Sequence, residues 1–282
     1  MHPRSSYHRI LGVEVHVVTW GADTAPPAVL WHGLARTGRD FDDLAAALSD
    51  TYRLICPDTP GRGFSQWSAA PDTAYCMASY ARLAAGLLDA LGLGRVRWVG
   101  TSMGGALGIL AGATTLRGRL SHLLLNDIGP TLPRPAFERI RDYVGQPPDF
   151  ATMSDFEAWL RTIYQPFGAH TDAQWRRMAE TSSRRLPNGR ITTHYDPKIA
   201  RQFALYPRDF EQWEAYDVLA MPTLVLRGET SDLLLSEVAA AMGGRGPRAA
   251  CVTVPGCGHA PALNVPAQIG LVRDFLARPT AD

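Results

Sequence analysis

The sequence predicts an α/β protein, a mostly parallel sheet flanked by helices and interrupted once by a helical insertion. Three observations carry that expectation. Short apolar segments alternate with longer amphipathic ones as far as Asn126, the rhythm of β-α-β units. The rhythm stops there, gives way to a Pro-rich, polar and aromatic stretch, and returns at Pro222. A Gly-rich turn, Gly100-Thr101-Ser102-Met103-Gly104, falls between a strand pattern and an apolar helix pattern.

The elements follow in order. Val13–Trp20 alternates as a strand, and Ala28–His32 is a short apolar strand. Asp40–Leu48 fits an amphipathic helix, and Tyr52–Cys56 is the next strand, closed by Pro57. Tyr75–Leu91 places Met77, Tyr80, Ala81, Ala84, Leu87, Leu88 and Leu91 at helical spacing, with Gly92 and Gly94 as stop signals. Val96–Val99 is a strand, Ser102–Thr114 a helix and Leu120–Asn126 a strand. Helical patterns at Pro135–Val144, Ser154–Tyr164, Thr171–Arg184 and Pro197–Ala204 fill the insertion, with no strong strand among them. Pro222–Leu226 and Ala250–Val254 then read as strands, Leu234–Met242 and Pro266–Ala277 as helices. The expected division is a core of residues 1–128 and 219–282 with an insertion at 129–218.

A chain of 282 residues buries roughly three quarters of its unfolded surface and needs no disulfide or metal staple. The net charge of +1 lacks the basic excess of a nucleic-acid binder. Cys56, Cys76, Cys251 and Cys257 form no C-x-x-C pair and read as buried free thiols. No apolar run reaches the ~18 residues of a membrane span, and Met1–Gly12 has no apolar core of signal-peptide length. The expected location is cytoplasmic, without stable membrane insertion.

Gly100-x-Ser102-x-Gly104 is the G-x-S-x-G pattern of a nucleophile held on a tight strand-to-helix turn. Side chains two positions either side of Ser102 would collide there, so glycine fits. A serine hydroxyl near neutral pH needs a base. Of eight histidines, His259 stands in the Gly-rich loop Pro255–Pro261 after the last strand, at the edge where open α/β sheets carry their sites. A carboxylate must orient that base. Asp232, after the strand Pro222–Leu226, fits the chain order Ser, Asp, His and is the first choice. Asp127, at the end of Leu120–Asn126, is the alternative acid, and Glu229 a further rival. The oxyanion donors are the backbone N–H groups of Met103 and of Leu34, the latter in the loop His32-Gly33-Leu34-Ala35-Arg36. Asp58, in Pro57–Gly63, reads as a loop-organising group.

Together these residues resemble the α/β-hydrolase superfamily, as a serine esterase-like member with a helical cap. The resemblance spans nearly the whole chain. It rests on His32-Gly33, Asp58-x-x-Gly61-x-Gly63-x-Ser65, Gly100-x-Ser102-x-Gly104, Gly228…Asp232 and Gly258-His259, in that order. It implies the α/β-hydrolase fold, an eight-stranded, mostly parallel sheet, and the insertion as a helical cap over the active site. Ser102 at the elbow, where haloalkane dehalogenases and epoxide hydrolases carry Asp, makes those chemistries unexpected. Ala35 replaces the proline of the familiar His-Gly-x-Pro pattern, and the acid loop is one residue longer than the common G-x-x-D form.

The expected function is hydrolysis of a small or medium apolar carboxylic ester through an acyl-enzyme. It needs no cofactor and no metal, and its partners are the ester and water, with no nucleic acid. The chain is expected to be a monomer or homodimer. Alternatives are a carbon–carbon bond hydrolase of a diketone ring-cleavage product, a lactonase, amidase or perhydrolase, and a non-enzymatic small-molecule receptor. Candidate substrate contacts are His32, Trp31, Trp159, Trp175 and Trp213, His32 serving also to hold its loop. Arg184 and Arg185 are adjacent in the insertion, where one could meet a substrate carboxylate.

Overall fold

A computed structural model describes residues 2–279; residues 1 and 280–282, the ends of the expected core, lie outside them. Among the described residues eleven strands are formed: β1 Arg4–Ile10, β2 Val13–Trp20, β3 Pro27–Trp31, β4 Arg53–Pro57, β5 Val96–Thr101, β6 Leu120–Asn126, β7 Asp149–Phe150, β8 Ser183–Arg185, β9 Ile191–Thr193, β10 Thr223–Gly228 and β11 Ala250–Val254. Eight of them build one sheet in the order β1-β2-β4-β3-β5-β6-β10-β11. The pairs β1–β2 and β2–β4 are antiparallel and the rest parallel. This is the α/β-hydrolase fold, with helices on both faces and a helical insertion between β6 and β10.

Apolar clusters cover the two faces. Met77, Tyr80, Leu87 and Leu107 pack on one side, while Leu44, Leu48, Val272 and Phe275 pack on the other. A strand buried on both faces is rich in apolar residues, and β6, whose seven residues are all buried, carries Leu120, Leu123, Leu124 and Leu125. Under the G-x-S-x-G turn, Trp31 stacks on Trp98 at 5.2 Å. Trp98 Nε1 donates to the Gly104 carbonyl at 2.9 Å, tying the first turn of the helix Met103–Ala113 to β5.

Three expectations are corrected. β1 escaped the sequence reading because an edge strand with both faces largely in solvent has no apolar alternation. A tight turn with Leu11 at φ 50° and Gly12 at φ 84° returns it to β2. The insertion carries strands after all, a small antiparallel sheet ordered β7-β9-β8. Its hairpin turns at Asn188-Gly189, with Leu186 N–H on the Arg190 carbonyl at 2.8 Å; an Asn-Gly pair is the available sequence signal. Cys251 is exposed, because β11 is the far edge of the main sheet. Among the described residues no helix is long and apolar enough to cross a membrane.

Candidate active site

Ser102 lies between β5 and the helix Met103–Ala113 at φ 52°, ψ −118°. A non-glycine residue at such a φ is strained, typically by 1–3 kcal/mol, and needs a surround that enforces it. The surround is close backbone packing. A Cβ on Gly100 would sit 2.2 Å from the Gly104 carbonyl oxygen, and one on Gly104 2.0 Å from the Trp31 carbonyl oxygen. The Ser102 N–H is held by the Asn126 carbonyl at 2.9 Å.

His259 reaches the site from the loop after β11. Its Nε2 is 2.9 Å from Ser102 Oγ and its Nδ1 2.8 Å from Asp127 Oδ2. With the proton on Nδ1, the imidazole donates to Asp127 and leaves Nε2 to accept the serine proton. Asp127 is fully buried. Its Oδ1 accepts the Gly228 N–H at 2.7 Å, and its Oδ2 also accepts the Ser231 hydroxyl at 2.6 Å. That hydroxyl is aimed by the Leu234 N–H, which donates to Ser231 Oγ at 3.1 Å.

Asp232, the first choice from the sequence, does not meet His259. It is 55% exposed and ion-paired with Arg139 of the insertion at 2.6 Å. The reason is local: Ser231 turns inward to Asp127, and the next side chain in the loop points outward. Asp127 comes instead from β6, the neighbour of β10, with Asn126 in register with Leu226. Glu229 accepts the Gly256 N–H at 2.9 Å, apart from the imidazole.

The expected oxyanion residues flank the nucleophile. Met103 opens its helix, so its N–H has no carbonyl four residues earlier in the helix. Gly33 passes so near that a Cβ on it would be 3.6 Å from Ser102 Cβ, so the loop leading into Leu34 runs beside the serine. The sequence reading missed Arg62, which joins these two residues. Its Nε donates to the Leu34 carbonyl at 2.8 Å, and its Nη2 lies 3.7 Å from Met103 Sδ. It also donates to the Pro60 carbonyl at 2.8 Å and the Tyr80 hydroxyl at 2.7 Å. The guanidinium is fully buried. An arginine between two glycines in Gly61-Arg62-Gly63 was its only signal.

The five candidate substrate contacts each have partners within the protein. His32 is fully buried and neutral, its pKa pushed down to about 4 by desolvation. Its Nδ1 donates to the Gly33 carbonyl at 2.6 Å and its Nε2 accepts the Thr59 N–H at 2.9 Å, so it holds two loops together. Trp31 is core, donating to Thr59 Oγ1 at 2.9 Å. Trp159 packs on Phe150 and Phe156, Trp175 on His170, and Trp213 on Tyr216 and Arg245. Asp58 organises its loop as expected, accepting from the Gly38 and Phe64 N–H groups and pairing with His16 at 2.8 Å.

The insertion touches the loops that carry the site. Gly258 N–H donates to the Pro166 carbonyl at 2.7 Å, and Gly63 N–H to His194 Nδ1 at 2.6 Å. Arg36 of the oxyanion loop lies 4.6 Å from the Tyr164 ring centre. Burial pushes the Tyr195 phenol up to about 12. Among the described residues no cluster of three or more His, Cys, Asp or Glu side chains is placed to hold a metal ion.

The alpha/beta hydrolase family profile matches residues 28–269. The chain belongs to the α/β-hydrolase family. It is 41% identical over 268 residues to the 3-hydroxybutyrate-oligomer hydrolase of Cupriavidus necator, covering 91% of this chain and 90% of that one. It is 27% identical over 237 residues to the 2-(acetamidomethylene)succinate hydrolase of Mesorhizobium japonicum, covering 84% and 82%. The crystal structure of an α/β hydrolase from Novosphingobium aromaticivorans superimposes with a TM-score of 0.87 at 36% identity, covering 98% of this chain and 99% of that one. This α/β hydrolase is a carboxylic ester hydrolase.

Proposed function

We propose that this hydrolase cleaves short linear oligoesters of 3-hydroxy acids through Ser102, His259 and Asp127. The observation that carries the chemistry is the continuous line Ser102 Oγ–His259–Asp127, with steps of 2.9 and 2.8 Å. The substrate class is supported by the 41% identity to a 3-hydroxybutyrate-oligomer hydrolase across nine tenths of both chains. The insertion, residues 129–218, acts as a cap over a core of residues 1–128 and 219–282. Its hydrogen bonds to the His259 and Gly63 loops support that division.

In this mechanism Ser102 Oγ attacks the ester carbonyl carbon while His259 Nε2 takes the serine proton. The Leu34 and Met103 N–H groups hold the tetrahedral oxyanion. Collapse breaks the bond to the alkoxide oxygen, which leaves as the hydroxyl of the next unit with the proton from His259. Water then attacks the acyl-enzyme, His259 again taking the proton, and Ser102 is restored with release of a hydroxy acid. Asp127 keeps the imidazole in its tautomer and favours its charged form.

The test is turnover of linear 3-hydroxybutyrate dimer by wild type and Ser102→Ala, beside p-nitrophenyl butyrate and an aryl diketone. The reading expects dimer cleavage by wild type and none by the variant. Preference for the diketone, or full activity without the serine, overturns it.

A further inference from the structure

Between the insertion and the core lies a cleft of about 710 Å³ that Ser102 and His259 do not line. Gly63, Phe64 and Trp67 form its core wall, and Thr181, Arg184 and His194 part of the opposite wall. Phe64 and Trp67 are 71% and 38% exposed, so two aromatic rings stand partly in solvent beside polar groups, as in a small-molecule site.

His194 is only 5% exposed. Its Nδ1 accepts the Gly63 N–H, and desolvation lowers its pKa to about 3, so the neutral ring carries its proton on Nε2. That buried donor has no partner among the described residues. Arg184 lies 4.8 Å from the Trp67 ring centre, and its Nε is likewise buried without an acceptor. The other arginines of the cleft, Arg39 and Arg177, are held by Asp42 and Asp43. Buried donors left unmade are costly, so two on residues that line one cleft point to an acceptor supplied from outside.

We propose that this cleft binds a carboxylate, with Arg184 and the His194 Nε2–H as donors and Trp67 and Phe64 covering a short aliphatic chain. The ligand class rests on the oligoester reading: such a substrate ends in a free carboxylate, and its products are hydroxy acids. Either source presents the same group. Two acidic residues share the cleft. Asp58 has its oxygens engaged by His16 and by the Gly38 and Phe64 N–H groups, whereas Glu180 is exposed and opposes the ligand. Gly63, bonded to His194, adjoins Arg62, whose Nε holds the Leu34 carbonyl; the cleft therefore borders the oxyanion loop.

Two arms test this. Calorimetry on Ser102→Ala measures binding of 3-hydroxybutyrate and of its methyl ester. Adding Arg184→Met weakens the acid about tenfold, the loss of one charge-assisted contact, and adding Glu180→Gln strengthens it. Kinetics with the serine intact measure the ratio of kcat/KM for the 3-hydroxybutyrate dimer to that for its methyl ester. A ratio that Arg184→Met lowers about tenfold identifies the substrate's own end as the ligand. A weakened acid with an unchanged ratio identifies free hydroxy acid. Overturning results are an acid that binds no better than its methyl ester, or an affinity and a ratio both indifferent to Arg184→Met and Glu180→Gln. If wild type cleaves p-nitrophenyl butyrate but not the dimer, the oligoester reading falls, and calorimetry still decides the cleft.

Discussion

The His259 imidazole donates to a carboxylate, Asp127, that lies 132 positions earlier in the chain and just past the end of β6. Asp232, nearer in sequence and on the expected loop, pairs with Arg139 in solvent. Asp127→Asn is expected to lower kcat about 10³- to 10⁴-fold, because an amide can favour the wrong imidazole tautomer. Asp232→Asn removes only an exposed ion pair and leaves kcat within about twofold. Steady-state kinetics on p-nitrophenyl butyrate compare the two, and the reverse ranking would refute the assignment.

Ser231→Ala removes the hydroxyl that donates to Asp127 Oδ2 at 2.6 Å. The Gly228 N–H remains, so the carboxylate stays in place but less firmly aimed. A hydrogen bond to a charged group is worth about 1.5–3 kcal/mol, and part of that appears in the barrier. The expected fall in kcat is about tenfold at unchanged KM. A change confined to KM would mean that Ser231 serves substrate binding instead.

Arg62 is a buried cation with no ion-pair partner among the described residues, set between the Leu34 carbonyl and Met103 Sδ. Burying such a charge costs several kcal/mol, and its place behind both proposed oxyanion donors would give it an electrostatic use. Arg62→Met is expected to lower kcat about 10- to 100-fold with a small effect on KM, and Arg62→Lys to restore part of it. It is also expected to weaken inhibition by a boronic acid, which carries a tetrahedral anion at the serine. Equal kcat in the methionine variant, at matched folding by circular dichroism, would remove Arg62 from the account.

The buried histidines set an acid limit on stability. Desolvation lowers His32 to about 4 and His194 to about 3, and lowers His122 and His170 in the same direction, from an ordinary value of 6.5. Between the folded and ordinary values the unfolded chain binds protons that the folded chain does not, so stability rises with pH there. The contribution is complete above pH 6.5 and is lost as pH falls toward 4 for His32 and 3 for His194. Thermal unfolding from pH 7.5 to 4.5 is expected to show a falling Tm, with a shallower slope in His194→Phe. A pH-independent Tm contradicts the burial of neutral histidine.

The sequence carried the parallel sheet because strands buried on both faces are apolar runs, as in Pro27–Trp31 of β3, and the elbow because backbone contact admits only glycine at Gly100 and Gly104. It carried Ser102 and His259 because their loops have Gly-rich spacing fixed by geometry. It put Asp232 ahead of Asp127, the carboxylate that meets His259, because the choice turns on which way one loop residue, Ser231, points. That is settled by contacts across strands, which no local pattern reports. The aromatic residues are ambiguous for a related reason: Trp31, Trp159 and Trp175 are large apolar groups that each pack on a neighbouring ring, and composition does not separate a packed ring from a cleft wall.

The central claim is an acyl-enzyme on Ser102. The most direct measurement is mass spectrometry of protein quenched in acid while it turns over the linear 3-hydroxybutyrate dimer, with proteolysis to locate the adduct. The account expects one hydroxybutyryl group on the peptide containing Ser102, and none in Ser102→Ala. Product accumulating with Ser102 unmodified under conditions that trap a known acyl-enzyme, or an adduct on another residue, would contradict it.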